Sequence, residues 1–276
     1  MQIDIKLINN LNAHGYKNYQ VLQCSNRSCV MMGFDMNNRK VLLKSFIKNN
    51  YNSDCFMVLP NSNIIVPKEF FFLYILKEKN YVPNLLAYYD ERNWAIIVME
   101  FLDEEWSDLF NLLDKFHVNE YCLKIIIKNL ILTMYELSKI GLYDCDIKPE
   151  NMMVNRKTLE IKLIDFEDFH SDNSLIPLFV GTYKGTMGYK SPESFTTYRI
   201  ELKPYLVFNI GCILYKCIEG VEAYDSINQF LGSIPMKMIK SSGYAASLIK
   251  QCTEMAPNKR ITFEELLQHK WFNQKV

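Results

Sequence analysis

The chain lacks any apolar run long enough to cross a membrane, so no membrane partner is expected. It lacks a charge bias as well. Its 31 Lys and Arg balance 31 Asp and Glu, and a zero formal net charge gives no electrostatic reason to expect a nucleic acid as partner. The first residues, Met1-Gln2-Ile3-Asp4-Ile5-Lys6, do not run basic then apolar as a secretory leader does. Gln2 stands where N-myristoylation needs glycine, so that anchor is not expected either. The eight cysteines (Cys24, Cys29, Cys55, Cys122, Cys145, Cys212, Cys217 and Cys252) contain no C-x-x-C pair. Without a leader they are expected to be reduced thiols in a cytoplasmic and/or nuclear protein. His14, His117, His170 and His269 are scattered with no metal-ligand spacing, and ordinary surface or helix-end positions are expected for them. There is no internal repeat and no low-complexity tail. Asn is abundant and Lys far outnumbers Arg, a bias that suggests AT-rich coding such as that of large DNA viruses or protists.

What is present divides into two halves. With 276 residues, 49% of them hydrophobic, the chain can bury a substantial core. From Tyr19 to about Met99 it reads as short β-branched and aromatic runs with one inserted helix. Tyr19–Leu22 and Cys29–Met32 form a predicted hairpin, and Val41–Phe46 a third strand. Pro67 opens a helix whose inward positions are expected to be Phe71, Leu73, Ile75 and Leu76. Trp94–Met99 shows little polar alternation, as a strand buried on both faces would. From Ser107 the pattern turns helical: Cys122–Ile140, Tyr205–Ile218, which is apolar nearly all round, and Ile261–Trp271.

The chemistry-bearing residues fall in one order along the chain. Lys44 follows an apolar V-L-L, and Glu69 sits in the first turn of the next helix. Asp146-Ile147-Lys148-Pro149-Glu150-Asn151 places a carboxylate, a cation and an amide on one loop, and Leu163-Ile164-Asp165-Phe166 adds a second carboxylate. Phosphoryl transfer from ATP needs such groups: a base for the acceptor hydroxyl, a cation for the γ-phosphate, and oxygen ligands for Mg²⁺. The D-x-x-x-x-N spacing of Asp146 and Asn151, with V-L-L-K, D-F and Gly185-Thr186-Met187-Gly188-Tyr189-Lys190-Ser191-Pro192-Glu193, resembles the eukaryotic-type Ser/Thr protein kinases over nearly the whole chain. Each piece has a duller reading: a solvated Lys and Glu, a helix-capping turn, a Glu193 and an Arg260 that never meet. The ordered set is far more specific than any one of them.

The resemblance implies an α+β, bilobal kinase fold. Residues 1–102 would be the β-rich N-lobe with one main helix and the hinge, and residues 103–276 the helical C-lobe. It implies Asp146 as catalytic base and Lys148 at the γ-phosphate. Lys44, paired with Glu69, would hold the α- and β-phosphates. Asn151 and Asp165 would be the Mg²⁺ ligands. Around ATP it implies Ser25, Ser28, Val30, Met99 as gatekeeper, and Glu100, Phe101 and Leu102 as hinge. Thr186, and Glu193 paired with Arg260, would shape the substrate platform. Val66-Pro67-x-Glu69, Asp108-Leu109-Phe110 and Thr262-Phe263-Glu264-Glu265 look Pim-like. That likeness, with Asp103, Glu104, Glu105, Asp108 and Glu150, suggests a preference for basic protein substrates by a monomer.

Four departures from the family pattern keep a second class open, a pseudokinase that binds nucleotide or partners without catalysis. Gln23, Ser25 and Ser28 replace the glycines of the phosphate-binding loop, so weaker ATP affinity is expected. Asp144-Cys145-Asp146 replaces H-R-D, and loss of the Arg predicts no requirement for activation-loop phosphorylation. Asp165-Phe166-Glu167 replaces D-F-G, which predicts one preferred orientation of Phe166. Leu206 stands where an Asp of the core helix anchors the catalytic loop.

Overall fold

The computed structural model describes residues 5–116, 118–171, 185–196, 200–224 and 236–273; Gln2 and His117 lie outside these. Contacts divide the chain into two compact units, residues 1–104 and 105–276.

The first unit is an antiparallel sheet. Strands β1 (Lys17–Cys24), β2 (Ser28–Phe34), β3 (Lys40–Ile47), β6 (Leu85–Asp90) and β7 (Trp94–Glu100) pair in the order β1-β2-β3-β7-β6. β7 is buried from Trp94 to Met99, as its unbroken apolar run requires of a central strand. A small hairpin, β4 (Phe56–Val58) with β5 (Ile65–Pro67), leads into α2 (Lys68–Ile75). The sequence pattern missed α1 (Ile5–Ala13), whose Leu7 and Leu11 pack on Met31, Val41, Leu43 and Ile96 of the sheet. Their i, i+4 spacing was the available signal.

Helix α2 corrects the expected inward face. Glu69, Phe70, Phe72, Leu73 and Leu76 are buried, whereas Phe71 is only half-buried and Ile75 is 37% exposed. The segment Phe70–Leu76 is apolar or aromatic at every position, so periodicity could not choose the face, and packing did.

The cysteine expectation is corrected too. Cys24 and Cys29 face each other beside the turn of the β1–β2 hairpin, 4.1 Å apart at Cα, and are joined as a disulfide. Pairing came from strand register, which spacing alone does not reveal. Among the described residues the other six cysteines are thiols outside this bond. Reducing this bond is expected to cost about 2 kcal/mol, the chain-entropy value for so short a loop. Denaturant unfolding with and without a dithiol reductant checks this, and a Cys24→Ser/Cys29→Ser variant should be indifferent to the reductant.

The second unit is helical around short strand pairs. β8 (Trp106–Asp108) precedes α3 (Leu109–Lys115), so the helical region begins later than Ser107. Asp108 caps α3 by accepting from Asn111 N–H, and Asn119 does the same for α4 (Glu120–Lys139) from Cys122 N–H. β9 (Leu142–Asp144) and β10 (Met152–Asn155) flank the Cys145–Asn151 segment, and β11 (Ile161–Leu163) and β12 (Phe169–Ser171) follow. β10 pairs with β8 and β11, and β9 with β12. After α5 (Glu193–Thr196) comes α6 (Leu202–Glu219), buried along most of its length and ended by Gly220 at φ +82°. α7 (Gly243–Cys252) packs against α6. The predicted last helix is broken into α8 (Phe263–Leu267), opened by a Thr262–Glu265 capping box, and α9 (Lys270–Asn273). His269 Nδ1 accepts the Trp271 N–H at 3.2 Å, which starts the second piece afresh.

Candidate active site

In the first unit, Lys44 lies within β3, between Val30 of β2 and Ile97 of β7. Its side chain is 14% exposed, and its ammonium pairs with Glu69, whose side chain is 4% exposed. Glu69 stands in the first turn of α2, where a carboxylate is favoured by the helix N-terminus. Met99 is buried between Leu42 and Leu85 in the sheet. The Glu100 carboxylate accepts from Asn84 N–H and Nδ2, and Phe101 lies beneath the Lys40 ammonium.

The turn between β1 and β2 holds its own donors. Ser25 Oγ accepts the N–H groups of Arg27 and Ser28 at 3.1 and 3.0 Å, and Ser25 N–H donates to Ser28 C=O. These backbone donors, which a glycine-rich loop would present to phosphate, are engaged within the turn.

In the second unit, the loop after β9 brings three predicted residues together. Thr186 Oγ donates to one Asp146 oxygen at 2.7 Å, Lys148 Nζ contacts the other, and Lys148 also donates to Thr186 Oγ at 3.0 Å. The Asp146 side chain is only 13% exposed. Burial disfavours the Lys148 ammonium, but Asp146, then Asp165 and Glu150, outweigh it and lift its pKa above the ordinary lysine value. Pro149–Asn151 form one turn of 3₁₀ helix that carries Asn151 inward. Its Nδ2 donates to the Asp146 C=O at 3.4 Å, and its C=O accepts from Ile164 N–H.

Asp165 is exposed and adopts φ +68°, with one carboxylate oxygen 3.3 Å from Glu167 N–H. The left-handed backbone of D-F-E therefore sits on the Asp and not on Glu167. Phe166 is buried and packs against Phe169 at 5.0 Å between ring centroids.

Asp144 is 3% exposed. Burial raises its pKa to about 8; the Asp146 N–H pulls it down, while the charges of Asp146, Asp165 and Asp168 push it up further. A carboxyl raised in the folded state leaves folding unopposed below its unfolded pKa of about 4. The penalty then grows as pH climbs towards 8. Asp144→Asn keeps an oxygen for Asp146 N–H and cannot ionise. In the absence of metal it is expected to gain stability over wild type by about 1 kcal/mol per pH unit between pH 5 and 8. A pH series of thermal unfolding checks this, and a constant difference between the two proteins would contradict it.

Glu193 and Arg260 meet as a bidentate pair at 2.8 and 3.0 Å, with the Arg260 side chain 0% exposed. Arg260 also donates to the carbonyls of Pro204 and Glu254.

Sequence reading missed Tyr205. Its hydroxyl donates to the Cys145 C=O at 3.0 Å. A tyrosine on an otherwise apolar core helix was the signal, because a buried phenol needs a partner.

A β-rich unit with a buried Lys–Glu pair, followed by a helical unit with an Asp–Lys–Thr cluster beside an Asn and a second Asp, is the arrangement of the protein kinases. Residues 26–272 match the protein kinase domain family, and the chain belongs to it. Its α+β character, β-rich then helical, is that of the family. It is 30% identical over 195 residues to the serine/threonine-protein kinase cds1 of Schizosaccharomyces pombe, covering 64% of this chain and 41% of that one. Over 259 residues it is 28% identical to the probable serine/threonine-protein kinase fhkB of Dictyostelium discoideum, covering 87% and 21%. To the serine/threonine-protein kinase pim-2 of Danio rerio it is 27% identical over 166 residues, covering 60% and 53%. The chain thus spans about a fifth to about a half of these relatives.

Proposed function

We propose that the protein is a Ser/Thr protein kinase, transferring the γ-phosphoryl group of ATP to protein hydroxyls. The observation that carries this reading is the closed Asp146–Lys148–Thr186 cluster. An unshielded buried carboxylate would be costly, and here each Asp146 oxygen is held by a donor that fixes its direction. Asp146 then orients the acceptor hydroxyl and takes its proton as the oxygen bonds to phosphorus and ADP departs. Lys148 neutralises charge on the transferred group, and Lys44, fixed by Glu69, holds the α- and β-phosphates. Val30, Met99 and the Glu100–Leu102 backbone would contact adenine.

Asn151 and Asp165 fit Mg²⁺. Asn151 spends its amide nitrogen on the Asp146 carbonyl, which leaves its oxygen to offer, and Asp165 adds an exposed carboxylate. Both are hard oxygen donors. When bound, the ion would neutralise phosphate charge.

Two finer readings belong to this proposal. Cys145 is buried and offers no cation to an activation-loop phosphate, so activity should not need one. The Pim-like preference for basic substrates draws on the carboxylates of Asp103, Glu104, Glu105, Asp108 and Glu150, of which Asp103, Glu104 and Glu150 are exposed. Glu104, Glu105 and Asp108 are engaged with Lys40, Lys157 and the start of α3. The engaged donors of the Ser25 turn favour the other reading, a pseudokinase with weak nucleotide affinity.

The test is Mg·ATP-dependent transfer by phosphatase-treated wild type to a basic peptide and its neutral counterpart, beside Asp146→Asn and Lys44→Met. Transfer by wild type alone, faster to the basic peptide, is expected. If all three are silent, the kinase reading falls. A thermal shift with Mg·ATP then separates a nucleotide-binding module from a scaffold.

A further inference from the structure

The departures around the catalytic loop are not independent of one another. Leu206 is fully buried and cannot replace the acidic side chain that the family uses to anchor this loop from the core helix. One residue earlier on α6, Tyr205 is 1% exposed and its hydroxyl donates to the carbonyl of Cys145, the residue before the proposed base. The adjoining amides are held as well. Cys145 N–H donates to Asp168 C=O at 3.1 Å, and Asp146 N–H to Asp144 Oδ1 at 3.0 Å. Gly185, at φ +119°, closes over the same spot. A Cβ there would lie 2.8 Å from the Cys145 oxygen and 2.9 Å from the Tyr205 hydroxyl, so only glycine leaves room for their bond.

We infer that Tyr205 is a positioning residue that takes over the missing acidic brace, fixing the Cys145–Asp146 peptide and through it the direction of the Asp146 carboxylate. The chemical logic differs from the acidic brace. A carboxylate accepts from backbone N–H groups; here the brace donates to a backbone carbonyl, and Asp144 and the Asp168 carbonyl take the N–H groups. Burial raises the Tyr205 hydroxyl pKa well above the usual tyrosine value, so it stays a donor over the working pH range.

This inference rests on the kinase reading for its turnover readout alone. Tyr205→Phe removes one oxygen and keeps the ring that fills the core. Misplacing a catalytic group by a fraction of an ångström to 1 Å lowers turnover by up to about 100-fold. The variant is therefore expected to lose about 10- to 100-fold in kcat, with KM for Mg·ATP within about twofold of wild type. Hydrogen–deuterium exchange over residues 144–151 should quicken, while α4 and the rest of α6 keep their protection. A merely structural role would lower thermal stability and the folded fraction and leave kcat per folded molecule and KM alone. Wild-type kcat, or a kcat loss with unchanged exchange in 144–151, overturns the brace. Exchange that quickens in Tyr205→Phe, when wild type itself transfers no phosphate, keeps the brace and discards the kinase reading. If neither turnover nor exchange responds, both fall.

Discussion

Asp146→Asn is expected to lower phosphoryl transfer by about 10²- to 10⁴-fold, the range removed with a positioned general base. The amide is nearly isosteric, so the loop should stay in place. It cannot accept the hydroxyl proton, however, and only one of its two ends can accept a hydrogen bond. In wild type both oxygens are used, one by Thr186 and one by Lys148. The variant therefore also turns an NH₂ group towards one of two donors, and Lys148 loses the charge that holds it. Thermal stability should change little, and stabilisation by Mg·ATP should persist, because the base is not the nucleotide's main contact. Steady-state transfer with a peptide acceptor checks the first point and a thermal-shift titration the second. Turnover within a few-fold of wild type would remove Asp146 from the role of base.

The second large effect concerns stability. Arg260→Met is expected to cost about 3–5 kcal/mol, because it removes the bidentate partner of the Glu193 carboxylate in a site with almost no exposure. For a domain of this size that corresponds to a fall in Tm of roughly 10 °C. Glu193→Gln should cost less than Arg260→Met. Arg260 would keep its carbonyl partners at Pro204 and Glu254, and the amide can still accept one of its bonds. The double replacement Glu193→Leu/Arg260→Met should be milder than the sum of two apolar single replacements, since no orphaned charge remains. Thermal and denaturant midpoints of wild type, Arg260→Met, Glu193→Gln, Glu193→Leu and the double variant check this. A fall of only a degree or two for Arg260→Met would mean that the ion pair contributes nothing that packing does not already supply.

The Asp146 cluster and the Glu193–Arg260 pair are two layers of one loop system. The Glu193–Arg260 pair ties the segment after Thr186 to the carbonyls of Pro204 and Glu254, and Pro204 directly precedes Tyr205 on α6. Thr186 in turn holds Asp146. Loss of the ion pair should therefore disturb turnover indirectly, through the loop, as well as stability.

Much of this molecule was legible in the chain. The central strand was visible because Trp94–Met99 offers no polar alternation, and the long helices because their apolar periodicity is sustained. The spacing of Asp146, Lys148, Asn151 and Asp165 matched the pattern of the family to which the chain belongs, since that pattern depends on residue type and order alone. What the chain left open lay wherever several physical solutions had similar cost. Around α2 every position from Phe70 to Leu76 is apolar or aromatic, so the buried face was set by the sheet it packs on. Ile261–Trp271 carried enough periodicity for one helix, yet His269 capped a second one. Cys24 and Cys29 were simply two thiols until strand register put them opposite each other.

The sequence by itself determined the family, the main strands and long helices and the identity of the chemical groups, because these depend on residue type and on spacing along the chain. Tertiary structure alone decided how the departures are absorbed. It put the Tyr205 hydroxyl on the Cys145 carbonyl, the Asp144 carboxylate on the Asp146 amide, and the Ser25 hydroxyl on the donors of its own turn. The physical reason is that hydrogen-bond satisfaction is a local requirement met by whichever group lies within about 3 Å. In two of these three cases the group comes from residues near in the chain. In the third it comes from sixty positions away, a distance that no one-dimensional pattern measures.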